Sequence, residues 1–305
     1  MTAYLARQVI QLAVAVWGIS IIVFVVNFVI GDPINALVPP ETPEETRQLL
    51  RRQYGFDRPI LVQYLDFARG AVVGNFGESY LFKKPALDLV LERLPATLQL
   101  TAAGMGVAIL IAIPVGILSA YWRYSLIDNI ATVVAVAGQA MPIYWLGLML
   151  ILLFSVHLRW LPASGYGTPQ HLILPGFCLG VFTAPVAMRL VRSGMLDVLS
   201  QDYIRTARAK GLTEWAVVMG HALRNTMIPV VTVLGLQFGQ LMGGAVITET
   251  VFAWPGVALL LINAIYRSDI PVMQAAVITL ALIIAGVNFL VDLVVAVLDP
   301  RIRLR

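Results

Sequence analysis

The sequence predicts an all-α, polytopic membrane protein of about six transmembrane helices, and three observations carry that expectation. Of the 305 residues, 59% are hydrophobic. Only 12% are charged, about half the share of a soluble globular domain. The apolar residues also gather into runs of about 20, the length a helix needs to cross the hydrocarbon core. Such a chain requires lipid as its solvent.

The runs extend from Gln8 to Ile30, Thr97 to Trp122, Ile130 to Val156, Leu172 to Val191, Pro229 to Thr250 and Met273 to Leu298. The first follows Arg7 and exceeds the roughly 7 to 15 apolar residues of a signal peptide, with no small-residue cleavage site behind it, so it reads as a retained helix. Orientation follows from Arg and Lys near the ends of the spans. An inside N-terminus gives the cytoplasm Arg7, Arg123, the cluster from Arg189 to Arg224, and Arg301, Arg303 and Arg305. The short outer loops keep only Arg159 and Arg267. Both termini are therefore expected in the cytoplasm.

The external segment 31–93 balances eight basic residues with nine acidic ones. Thr42-Pro43-Glu44-Glu45 is a capping-box arrangement that predicts a short helix with Thr42 as its N-cap. A second helix from about Pro59 to Val73 carries Ile60, Leu61, Tyr64, Leu65 and Ala68 at helical spacing, and Gly74-Asn75-Phe76-Gly77 ends it. This segment is either a lid or docking surface, or a loop packed on its own bundle.

The insertion 195–228 is too polar to span and too periodic for a linker, and it reads as two short helices around a turn. Ser200 is the expected cap of the first, with Asp202 near its start and Arg208 and Lys210 near its end, as the helix dipole favours. Gly211 stands where a left-handed residue closes a helix. Thr213 caps the second helix, Leu212 can staple onto Val217, and Trp215, Val217, Val218 and Met219 are read as an exposed apolar patch.

Here the sequence resembles a known family. Asp202-Tyr203-Ile204-Arg205-Thr206-Ala207-Arg208-Ala209-Lys210-Gly211-Leu212, followed by His221-Ala222-Leu223-Arg224-Asn225 and Ile228-Pro229-Val230-Val231-Thr232, is similar to the coupling segment of the dipeptide, oligopeptide and nickel permeases of ABC importers. Gly31-Asp32-Pro33, Leu94-Pro95-Ala96-Thr97-Leu98, Trp254-Pro255-Gly256 and Leu298-Asp299-Pro300-Arg301-Ile302-Arg303 extend the resemblance over nearly the whole chain. Arg205-Thr206-Ala207 stands where the general importer signature has Glu-Ala-Ala, and Ile228-Pro229 lies farther from Gly211 than usual; both are features of the peptide branch.

The resemblance implies a single type I ABC importer transmembrane domain over residues 1–305, in the bacterial inner membrane. It further implies a second, similar permease, two ATPase subunits and an external solute-binding protein as partners. ATP and Mg would be used by the ATPases, with no cofactor on this chain. Arg205, Thr206, Ala207, Gly211, Leu212 and Trp215 would couple ATP hydrolysis to the membrane path. The solutes implied are dipeptides or oligopeptides, with glutathione or a nickel chelate as the alternative.

Within the fifth span, Gly235, Gly239 and Gly243 form a small-residue stripe for close helix packing. The stripe suits either a partner permease or this subunit's own helices. Gln237 and Gln240 are candidates for the solute path, because polar side chains in spans face the bundle interior or a cavity. Asp292, one turn after Asn288, reads as a structural pair near the cytoplasmic end, and it is taken as the sole intramembrane acid. Pro114, Pro142 and Pro185 interrupt three spans.

Other functions find less support. An ion-coupled secondary transporter would favour repeated halves and midplane charges. An enzyme lacks a GxSxG, an HExxH or paired midplane aspartates. None of Lys83, Lys84 and Lys210 follows a glycine, so a P-loop is absent from the sequence. His157, His171 and His221 are far apart and support no metal site, and Cys178 is a lone apolar-segment cysteine. The net charge of +4 is spread along the flanks of the spans rather than gathered on one face, which sets nucleic acid aside.

Overall fold

The computed structural model describes residues 2–30, 34, 38–39 and 41–298. The Gly31-Asp32-Pro33 motif and nearly all of the motif at 298–303 lie outside the described residues. The helices, in chain order, are α1 Thr2–Ile30, α2 Glu44–Tyr54, α3 Ile60–Val72, α4 Ala86–Tyr121, α5 Leu126–Ala140 and α6 Ile143–His157. They continue with α7 Pro169–Leu199, α8 Asp202–Ala209, α9 Ala216–Val251, α10 Val257–Tyr266 and α11 Ile270–Leu298. Among the described residues the only extended pairing is an isolated bridge between Glu78 and Pro85.

Four helices, α4, α7, α9 and α11, are long and apolar enough to cross a membrane, and α1 carries an apolar stretch from Ile10 to Val26. The remaining run, expected as one helix from Ile130 to Val156, is broken into α5 and α6, which meet at 103°. Met141 takes an extended backbone, φ −73 and ψ 134, the conformation that the ring of Pro142 favours in the residue before it. Pro175 and Pro185 stay inside α7, and Pro229 inside α9. Proline alone therefore does not decide where these spans break.

The chain divides into two compact units, residues 1–97 with 255–285 and residues 98–254 with 286–305. The first unit has a core of Val90, Val257, Val272, Ala275 and Ala276, all almost fully buried. Thr97 of the Leu-Pro-Ala-Thr-Leu motif accepts the Val257 N–H at 2.8 Å, joining it to the start of α10 just after the Trp-Pro-Gly motif. In the same unit, Asp269 is buried and accepts the Ser79 hydroxyl at 2.5 Å and the Tyr80 N–H at 3.1 Å. This carboxylate pins the turn ahead of α4 to the turn ahead of α11.

The second unit is built on helices brought close by glycines. A Cβ on Gly180 would lie 2.5 Å from Val107 and 2.7 Å from the Gly104 carbonyl, so α7 and α4 touch through backbone there. One end of this unit is tied by a carboxylate. Asp128 accepts Arg192 Nε at 2.7 Å and Nη2 at 2.8 Å, the Tyr124 N–H at 3.0 Å and the Ser119 hydroxyl. Its side chain is only 4% exposed. The pair joins the start of α5 to α7, 64 residues later.

In the segment 31–93 α2 and α3 form close to their expected positions, but Pro43, not Thr42, is the N-cap of α2, and no side chain caps that helix. The Thr42 N–H instead bonds the Pro39 carbonyl in a turn at 3.1 Å.

Candidate coupling segment and solute path

The candidate coupling segment is an elbow whose geometry follows from its sequence. After α8, the Gly211 N–H bonds the Arg208 carbonyl at 2.9 Å and the Leu212 N–H bonds the Ala207 carbonyl at 3.4 Å, the paired bonds of a Schellman motif. That motif needs a left-handed residue, and Gly211 has φ +81. The Thr213 hydroxyl accepts the Ala216 N–H at 3.4 Å as the chain turns into the next helix. Arg208 closes the elbow from outside by donating to both carboxylate oxygens of Glu214, at 2.8 and 3.2 Å. Asn225 also donates to the Tyr203 hydroxyl at 2.8 Å, tying α9 back to α8.

Three expectations are corrected here. Ser200 does not cap α8: its hydroxyl donates backward to the Asp197 carbonyl at 2.8 Å, and Gln201 holds the cap position without a side-chain bond to the helix. The second helix is not short. It winds as a π-helical turn from Ala216 to Ala222 and runs on into the fifth span as one 36-residue helix. Val217 and Val218 are not exposed, because this turn folds them onto Ile204, Ala207 and Met195 in the core of the second unit. The exposed apolar groups are Trp215 at 74%, Tyr203 at 44% and Leu212 at 41%. Beside them Arg205 and Thr206 are exposed, whereas Ala207 is buried.

On α9 the two candidate glutamines separate. Gln237 is buried with no hydrogen-bond partner on Nε2 among the described residues, while Gln240 is exposed. The glycine stripe divides as well. A Cβ on Gly235 would lie 2.3 Å from Val291 of α11, Gly239 is buried, and Gly243 faces open space. Gly235 is thus spent on packing within this subunit.

Asp292 is half-buried and near no described ion-pair partner. The expectation of a sole intramembrane acid is also corrected, since Glu249 near the end of α9 is fully buried. Its place within the expected fifth span was visible in the sequence. The Asp128–Arg192 pair offered no such local signal.

The first unit carries a cavity of about 1040 Å³. Its lining mixes Arg51, Arg58 and Lys83 with Asp57, Asp66 and Glu78 around the rings of Tyr54, Phe56 and Tyr80. Burial holds the Tyr80 hydroxyl well above its usual range, and Asp269 and Tyr54 add to the shift. It therefore remains a neutral hydrogen-bonding group. A wall of both charges and aromatic faces suits a dipolar organic molecule or a protein loop of mixed charge.

Known proteins place the chain. Residues 112–304 match the family described as the binding-protein-dependent transport system inner membrane component, and residues 1–101 match its N-terminal companion. The chain belongs to this family of ABC importer permeases. It is 40% identical over 304 residues to the glutathione transport system permease protein GsiC of Escherichia coli K12, covering 99% of both chains. The Shigella flexneri protein of the same name matches to the same extent. Among solved structures, an inward-facing form of the MetNI methionine ABC transporter superposes with TM-score 0.60 at 19% identity, over 69% of this chain and 96% of that one. A second crystal form of it gives 0.57 at 20% identity, with the same coverage. That likeness concerns the fold.

This permease is a multi-pass protein of the inner membrane and not an enzyme. Membership implies ATPase and substrate-binding partners, with ATP hydrolysis in separate subunits.

Proposed function

We propose that the chain is one of two permease subunits of an importer for short peptides, with glutathione the first candidate solute. The 40% identity to the glutathione permease over 99% of both chains carries this reading. Dipeptides and longer peptides remain within the same importer class. Both termini lie in the cytoplasm in this reading, and α5 with α6 makes the third crossing.

Two ATPase subunits would dock on the elbow, with Trp215, Leu212 and Tyr203 as apolar anchors inside a rim of Arg205 and Thr206. The continuity of the 36-residue helix α9 supports a direct linkage. Movement imposed at Trp215 would reach Gln237, about 33 Å along the helix at 1.5 Å per residue, through helical backbone alone. Solute released by the external binding protein would enter past segment 31–93.

The test is uptake in a strain lacking this gene, restored with the wild-type copy, using labelled glutathione, a dipeptide and a nickel chelate. Loss and recovery of glutathione or dipeptide uptake is the predicted result. Intact peptide uptake with loss of nickel alone would overturn the solute assignment.

A further inference from the structure

Helix α3 departs from what a water-exposed external helix requires. Its inner face packs on α1 through Tyr64 and Phe67. The Phe24 ring meets Tyr64 edge-on at 5.4 Å and stacks on Phe67 at 5.9 Å. Ser20 gives its one hydroxyl hydrogen to the Trp17 carbonyl at 2.7 Å, so at 3.0 Å the Tyr64 hydroxyl is the donor to Ser20.

The depth of these contacts is the informative fact. Ser20 and Phe24 lie inside the apolar stretch Ile10–Val26 of α1. Phe24 is six residues short of Ile30, where α1 and its apolar run end, about 9 Å along the helix, and Ser20 is about 15 Å from the same end. The ring contacts at Phe24 thus fall at the depth, about 5 to 10 Å, at which interfacial helices rest in a bilayer, and the Tyr64 hydroxyl reaches deeper to Ser20.

The outer surface of α3 fits the same placement. Leu61, Leu65 and Val72, at i, i+4 and i+11, form one stripe and are 69%, 45% and 88% exposed. Asp66 and Arg69 occupy the next face round, where Asp66 pairs with Arg58 at 3.2 Å on the lining of the charged cavity. Thus one face packs on α1, one apolar stripe is uncovered at acyl-chain depth, and one charged stripe borders water.

We infer that α3 is a monotopic interfacial helix, lying in the leaflet at the C-terminal end of α1 with Leu61, Leu65 and Val72 in contact with lipid acyl chains. Under the topology proposed above this is the outer leaflet, but the inference rests on depth along α1 and survives either orientation. Its consequence is that the charged cavity is anchored to the bilayer surface rather than carried on a freely moving lid.

The test uses the assembled complex in lipid nanodiscs, with single cysteines in a Cys178→Ala background at Leu61→Cys, Leu65→Cys, Val72→Cys and Asp66→Cys. Each is labelled with a nitroxide. Collision with molecular oxygen, which partitions into acyl chains, is compared with collision with water-soluble chromium oxalate. Oxygen accessibility should exceed that of the oxalate several-fold at 61, 65 and 72, and the order should reverse at 66. High oxalate accessibility at 65 would make α3 a water-exposed lid. Low accessibility to both reagents would mean that a partner protein covers it. Either result overturns the inference and leaves the solute assignment, read by uptake, untouched.

Discussion

Replacing Arg192 with methionine tests how much of the second unit depends on one buried carboxylate. Asp128 accepts two charge-assisted bonds from Arg192, at 2.7 and 2.8 Å, and two neutral ones from Ser119 and the Tyr124 N–H. Arg192→Met keeps a stem of similar length but removes both charged donors. The carboxylate then stays buried with half its partners, which costs about 3–5 kcal/mol. Asp128→Asn is milder, about 1–2 kcal/mol, because the amide keeps one acceptor for Arg192. Arg192 is 27% exposed and can still reach water. The double variant removes the stranded charge and should be more stable than Arg192→Met alone, a non-additivity that marks direct coupling. Thermal denaturation of the purified complex, followed by size-exclusion recovery, orders the three. If Arg192→Met falls within about 0.5 kcal/mol of wild type, or the double variant is simply additive, the pair behaves as a solvated surface contact and the reasoning fails.

On α9, Gly235→Ala should lower thermal stability because its Cβ meets Val291 at 2.3 Å, whereas Gly243→Ala, with nothing within 4 Å, should not. Equal effects would refute the packing difference. Asp269→Ala strands the Ser79 hydroxyl and the Tyr80 N–H, at a cost of about 2 kcal/mol or more. Faster limited proteolysis between residues 76 and 85 would register it, and an unchanged rate would show that the turn holds without the carboxylate. A reporter fused after residue 305 or within 200–225 should be cytoplasmic and one near Asp57 external; an external signal from 200–225 would contradict the topology.

What the sequence made legible was what local chemistry decides. Gly211 was readable because a left-handed helix end favours glycine, and the apolar runs were readable because lipid demands them. Hydropathy reports lipid contact rather than helix, however. The second run was placed from Thr97, but α4 begins at Ala86, with Asp88, Glu92 and Arg93 already helical. The burial of Val217 and Val218 depends on a π-helical turn and on α8 folding back, so a patch inferred from spacing alone mistook core for surface. Pro142 stands at a sharp break and Pro185 inside a continuous helix, a difference that the proline itself does not announce. The Ser79–Asp269 contact joins residues 190 apart, a separation that periodicity does not reach.

The measurement that tests the central claim most directly compares Gly211→Val and Trp215→Ala in reconstituted complexes. A Cβ at Gly211 meets nothing within 4 Å, so its penalty is the positive φ alone, about 1–2 kcal/mol. That is too little to unfold the spans but enough to misdirect the elbow. Trp215→Ala leaves the elbow intact and removes the most exposed aromatic anchor, which at a buried docking contact costs about 2 kcal/mol or more. Both variants should reach the membrane in normal amount and lose solute-stimulated ATP hydrolysis, and Trp215→Ala should also retain less ATPase on purification. Normal transport and full ATPase retention in both would contradict the coupling role of this segment.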